Sequence, residues 1–359
     1  MCKTCRFSAC EDEKTPVNLT DITTDIVSLT ALVVVLLCGG CGVAYLIKRS
    51  FAFSLPVFSL ALMLVLFLAS FARNITVGFT LGIALSAALG LIALYGIFFA
   101  DDRQWYRRAI FNHGMLAFVL LALFCLVINH SREVFYDDDL HYWARSVREM
   151  LRLNDVVARH PQSMVYGLEK PPTTSLFLYF FARLSRSSVD FPLFVALQML
   201  TFSFLLPLFD SIKEEDMPSS KWLRFVALLI LIPCLLVVFN FKYYFSNYSM
   251  LLIDLLLSVE VAFGLYCIAM ARLPVGLETA LLGLLCAVLA VQKDTGLLLV
   301  VCVLMLAVGV RGLLRRRAEL RDNKDPSPTL ALTVLQMGVM LTSLLTTFLL
   351  WEAVVDAFL

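Results

Sequence analysis

The sequence predicts an all-α polytopic membrane protein, a bundle of about ten crossing helices with an extracytoplasmic loop that carries interfacial helices. Three observations carry that class. Of the 359 residues, 60% are hydrophobic and only 16% charged, with a mean hydropathy of +0.85, far too apolar for a water-soluble domain. The apolar residues fall in ten runs near the roughly 20 residues that a crossing helix needs: 26–47, 55–71, 75–99, 113–129, 190–209, 223–239, 250–270, 275–291, 296–311 and 329–351. Basic residues are shared unevenly among the loops between these runs, as in chains threaded through a bilayer.

Residues 1–25 read as a polar tail. They lack the apolar core of a signal peptide and include Glu11-Asp12-Glu13. Cys2, Cys5 and Cys10 cluster loosely there, but three cysteines without histidine are weak evidence for zinc. The other seven cysteines lie in apolar runs, where a thiol behaves as a small hydrophobe, so no disulfide framework is implied. After the tail come the N-terminal transmembrane helices (26–112), a membrane module (113–311) containing the polar loop 130–189, and a basic cytoplasmic loop with a last transmembrane helix (312–359). The basic segment Arg311 to Arg321 is expected as loop. A formal net charge of +1 gives no reason to expect nucleic acid.

Orientation follows from the short loops if Pro171 to Leu184 forms a re-entrant or interfacial helix. Fourteen residues span about 21 Å as a helix, short of the roughly 30 Å hydrocarbon core. Loops 48–54, 101–110, 210–224, 271–275 and 311–328 then share one side and fifteen basic residues, against three in 72–74, 240–248 and 292–295. The basic side is cytoplasmic by the positive-inside rule. The loop 130–189, the segment Asn240 to Asp254 and the turn Gln292-Lys293-Asp294-Thr295 therefore meet on the extracytoplasmic side.

Within the polar loop, Asp137-Asp138-Asp139 precedes Leu140-His141-Tyr142-Trp143. Leu140, Trp143, Val147, Met150 and Leu151 recur at helical spacing, which predicts an amphipathic helix to Leu153 along the membrane surface. Asp138 or Asp139 would be its N-cap. Arg145, Arg148 and Arg152 share its polar face, and Tyr142 and Trp143 suit interfacial anchoring. One aspartate suffices for a cap, whereas three in a row repel one another. A carboxylate there can serve as general base, and a neighbour can orient it or share a divalent metal.

Lys170 stands between Glu169 and two prolines that end one segment and start the next helix. It is either half of a surface ion pair or a contact for a lipid-linked phosphate. Lys293 repeats the situation in a short turn. Asp254 is expected about 6 Å inside its helix and Glu260 deeper; intramembrane carboxylates are functional hypotheses by default. Lys242, Tyr243 and Tyr244 read as interfacial anchors.

In order and type these residues resemble the GT-C superfamily of polyprenyl-phosphate-sugar-dependent glycosyltransferases, especially the protein O-mannosyltransferase and lipid A aminoarabinose transferase branch. Asp138-Asp139 ahead of His141-Tyr142-Trp143 occupies the place of that family's acidic pair before an interfacial helix. Glu169-Lys170-Pro171-Pro172 matches the aminoarabinose transferase segment residue for residue. Asp254 after Tyr248, and Lys293 with Gly296, match two later features, so the likeness covers roughly residues 115–311. Four helices precede the acidic loop here, where the family commonly has one.

The resemblance implies an extracytoplasmic site that takes a polyprenyl-phosphate-sugar donor and a glycan, lipid or protein acceptor among the membrane lipids. It implies Asp138 as base, Asp139 as acidic companion and Asp254 as a second acid. Glu169 and Lys170 would contact the donor phosphate or a metal, and Lys293, His141 and Arg148 would join them in binding substrate. No cofactor is demanded, although a divalent metal is compatible with the carboxylates. The alternative is a transporter or lipid flippase using Asp254, Glu260 and Lys293, marked by broken helices and inverted repeats. A third reading is a catalytically inert assembly subunit.

Overall fold

The computed structural model describes residues 19–72, 74–130, 132, 134, 139–163, 165, 167–185, 190–212, 218–239, 252–321 and 327–358. Among them there is no ladder of strands, and every apolar run has become a helix. The helices are α1 (Leu19–Ile47), α2 (Phe51–Ala69), α3 (Thr76–Phe98), the short α4 (Arg103–Ile110), α5 (His113–Asn129), α6 (Ala144–Leu153) and α7 (Thr173–Leu184). They continue as α8 (Asp190–Leu205), α9 (Pro218–Phe239), α10 (Ile253–Ala269), α11 (Val275–Ala290), α12 (Asp294–Leu299), α13 (Leu306–Arg321) and α14 (Ser327–Phe358). A π-helical segment, Val300–Met305, joins α12 to α13. Among the described residues, eight helices are long and apolar enough to cross a membrane. Two further apolar helices, α10 and α11, have 17 and 16 residues.

Local chemistry sets several of the boundaries. Ser50 caps α2 by accepting the Phe53 N–H at 3.2 Å, and the Asn112 side chain caps α5 by accepting that of Met115 at 3.1 Å. Asn154 ends α6 at φ 53°, a left-handed position that asparagine tolerates better than most residues. The basic segment does not form a loop. Residues 311–321 continue α13, because Leu, Arg, Ala and Glu are good helix formers and no proline interrupts them before Pro326.

Helix α2 is apolar all round and lies inside the bundle, packed by α1, α3, α7, α8 and α11. Close approach of α1 and α3 requires Gly42, where a Cβ would stand 2.4 Å from the Leu89 carbonyl oxygen. Outer helices show apolar side chains outward, among them Leu91, Leu223, Val238 and Val334, as expected of surfaces that face lipid.

Side-chain contacts sort the connections into two ends. At one end Lys48 pairs with Asp102, Arg49 donates to the Arg272 carbonyl at 3.0 Å and Ser50 donates to Asp210 at 2.6 Å. At the other, Ser185 donates to Ser28 at 2.6 Å, Arg159 donates to the Phe71 and Ala72 carbonyls, and Asn154 accepts the Ile75 N–H. Both ends of α7 belong to this second set. Thr173 donates its N–H to Val291, and Arg183 donates to Asn154 at 2.7 Å.

Toward the basic end, the largely enclosed Arg311 pairs with the buried Glu278. It also donates to Gln336 at 2.9 Å and to the Ile268 carbonyl at 2.8 Å, tying α10, α11, α13 and α14 together. Glu278→Leu should destabilise the fold by about 2–4 kcal/mol, since it leaves a largely enclosed guanidinium without its counter-charge. Thermal unfolding in detergent would measure the loss, and Glu278→Leu/Arg311→Met should recover most of it.

Candidate functional site

At the end opposite the basic loops, four separate segments converge. Asp254 lies in the first turn of α10, and Lys293 immediately precedes α12. The Lys293 ammonium donates to the Asp254 carboxylate at 2.6 Å. Asp254 is 77% exposed, so it stands at the mouth of the bundle and not one turn inside. The helix begins at Ile253 instead of the expected residue 250, which moves Asp254 outward.

The turn that carries Lys293 is held against the start of α7 by the Thr173 N–H, donated to the Val291 carbonyl at 3.3 Å. Just before that bond, Lys170 lies with its ammonium 4.7 Å from the centre of the Tyr142 ring, a cation–π distance. The Tyr142 hydroxyl in turn donates to the Lys170 carbonyl at 3.1 Å. Burial pushes the Tyr142 phenol above its ordinary proton affinity, and the carboxylates of Asp294 and Glu169 push it the same way. The phenol is therefore neutral and remains a donor. Trp351, near the end of α14, donates to the Glu169 carbonyl at 2.9 Å. A shallow depression with room for about one water molecule lies among Tyr142, Ser146, Met150, Leu168, Lys170 and Trp351.

Gly296 permits this arrangement. A Cβ there would lie 2.0 Å from the Leu289 carbonyl oxygen, closer than any side chain can come. The turn between α11 and α12 thus folds back on the last turn of α11, which fixes where Lys293 points.

The structure treats the expected site residues unequally. Asp254 and Lys293 meet, and Glu169 and Lys170 join Tyr142 and Trp351 nearby. His141 is exposed at the same end. Arg148 is paired with Asp190, which also accepts the Val134 N–H at 3.2 Å. No contact among the described residues links Arg148 to Lys170 or Lys293. Asp137 and Asp138 lie outside the described residues, as do Lys242, Tyr243 and Tyr244. Asp139 opens a π-helical turn to Trp143 that precedes α6, where a continuous α-helix was expected.

Tyr142 and Trp143 are not interfacial anchors. Both are buried, with ring centres 4.5 Å apart, and Lys170 lies over the Tyr142 ring. Among the described residues no group of three His, Cys, Asp or Glu side chains is placed to hold a metal. Sequence reasoning missed Trp351, Asp294 and Gln292. Asp294 was visible as the neighbour of Lys293, whereas nothing local marks Trp351, which reaches the site from about 180 residues away.

Chemically, the site offers two ammonium groups, each with a carboxylate nearby, a neutral phenol and an enclosed indole. Such a rim suits an anion whose charge grows during reaction. Comparison with known proteins finds no matching family model, no similar curated protein and no similar solved structure.

Proposed function

We propose that the chain is an integral membrane glycosyltransferase of GT-C type, transferring a sugar from a polyprenyl-phosphate donor to an extracytoplasmic acceptor. The observation that carries this reading is the convergence of Asp254, Lys293, Glu169 and Lys170, distant in sequence, at one end of the bundle. The basic loops gather at the other end, which the positive-inside rule assigns to the cytoplasm.

In this reading all ten apolar helices cross. Although α10 is short, Asp254 lies at one end of the bundle while the Ile268 carbonyl meets Arg311 toward the other. Likewise α11 runs from Glu278, paired with Arg311, to the Val291 turn. Seventeen residues reach about 25 Å, a mismatch that local bilayer thinning absorbs.

The donor's tail lies among the helices, and its phosphate meets Lys170 and Lys293. Asp138 takes the acceptor proton as the acceptor oxygen or nitrogen bonds to the anomeric carbon. The bond from that carbon to the phosphate oxygen breaks, leaving polyprenyl phosphate, whose added charge the two ammonium groups stabilise.

The rival transporter reading draws on the π-helical interruption Val300–Met305 and the buried carboxyl of Glu260. Purified protein in nanodiscs, supplied with a panel of short-chain polyprenyl-phosphate sugars and acceptor-bearing envelope extract, separates the two. Transfer should release polyprenyl phosphate and glycosylated acceptor in equal amounts. Movement of an intact donor across reconstituted vesicles, without cleavage, would instead establish transport.

A further inference from the structure

Below the rim lies a second polar group that the proposed transfer does not use. Glu260 is six residues beyond Asp254 on α10, about 9 Å deeper along the helix. It is completely buried, and neither carboxylate oxygen makes a well-formed hydrogen bond. The side chain within reach of it is Gln292, whose amide lies close enough for a loose hydrogen bond to the carboxyl; Gln292 is equally buried, and neither of its amide atoms makes a well-formed hydrogen bond. Gln292 follows the C-terminal end of α11. The Thr173 N–H bond to Val291 brings a third enclosed and unpaired group, the Thr173 hydroxyl, to the same turn.

We propose that Glu260, Gln292 and the C-terminal end of α11 form a binding site for a monovalent cation of the sodium class. An ionised carboxylate in a low-dielectric interior needs a compensating charge, and among the described residues no charged side chain supplies one. The elements packed on α10 are α8, α11, the π-helical segment and α13. Of the charges nearest to them, Asp190 is held by Arg148, Glu278 and Arg311 hold each other, and Lys293 is held by Asp254.

The donors on offer are oxygens: the Glu260 carboxylate and the Gln292 amide oxygen, with the unpartnered Thr173 hydroxyl at the adjoining turn. The last carbonyls of α11, just before Gln292, add partial negative charge at that turn. Hard oxygen donors select alkali and alkaline-earth ions over transition metals. A single buried negative charge is neutralised by one positive charge, whereas a divalent ion would leave an excess.

The test needs no sugar donor, so its outcome is independent of the transferase reading. Thermal unfolding of the full-length protein in nanodiscs would be followed in sodium, potassium and N-methylglucamine chloride at equal ionic strength. The wild type should gain stability saturably with sodium, Glu260→Gln should show no such gain, and Gln292→Leu should need roughly tenfold more sodium, equivalent to losing one ligand. Should Glu260→Gln fail to fold, Glu260→Asp keeps the charge and should also shift the sodium midpoint upward. Indifference of the wild type to the cation would overturn the site. So would stabilisation by acid alone, reproduced by Glu260→Gln, which would show a protonated acid paired with the amide.

Discussion

Asp138→Asn should lower kcat for sugar transfer by about 10²–10⁴-fold while leaving donor affinity within a few-fold of the wild type. Asparagine keeps the size and polarity of aspartate but cannot take a proton from the acceptor. Because the side chain acts on the acceptor, the loss belongs to the chemical step and not to recruitment of the lipid donor. Asp139→Asn should cost less, since a companion carboxylate orients the base without receiving the proton. If the larger loss follows Asp139→Asn, the base is the second of the pair and the register moves by one residue. Turnover against donor concentration, with folding checked by the unfolding midpoint, separates these outcomes. Full activity in both variants would remove the acidic loop from the chemistry.

Lys293→Met should lower kcat by about 10²–10³-fold, the scale on which a single stabilising donor acts on developing charge. Its effect on stability should be small. Asp254 is largely exposed, and an ion pair of that kind contributes about 0–1 kcal/mol. A large activity loss beside a nearly unchanged unfolding midpoint is thus the signature of a functional ammonium, whereas a purely structural one would change neither much. Lys293→Arg should retain part of the activity, because guanidinium keeps the charge but presents it as a planar fork. Asp254→Asn frees the ammonium from its 2.6 Å partner and should weaken transfer less than removal of Lys293 itself.

Much of the helical frame was legible from apolar run length alone, since each of the ten runs became a helix. What run length could not reveal was where helices stop when polar residues can still be helical. Arg311 to Arg321 continues α13 because nothing in it breaks a helix. Asp254 moved outward for a related reason: where an apolar run begins does not say where the first hydrogen-bonded turn closes. The meeting of Asp254 with Lys293 could be anticipated from loop charge, which sorts loops by side of the membrane. It could not be anticipated that Tyr142 turns inward onto Lys170, or that Trp351 reaches Glu169 from the last helix. Such contacts depend on how helices pack side by side, and the pattern of a single chain carries little information about that. Gln292 illustrates the same limit. As a polar residue in a short turn it looks solvated, and only the packing of α7 and α10 buries it.

The most direct test of one shared active site is an experimental structure of the full-length protein with a polyprenyl phosphate bound. The account predicts the phosphate within hydrogen-bonding distance of Lys170 or Lys293, with Asp138 on the same side of the membrane and the lipid tail entering between helices. A phosphate at the basic end of the bundle, near Arg49 or Arg272, or Asp138 on the face opposite Lys293, would contradict it.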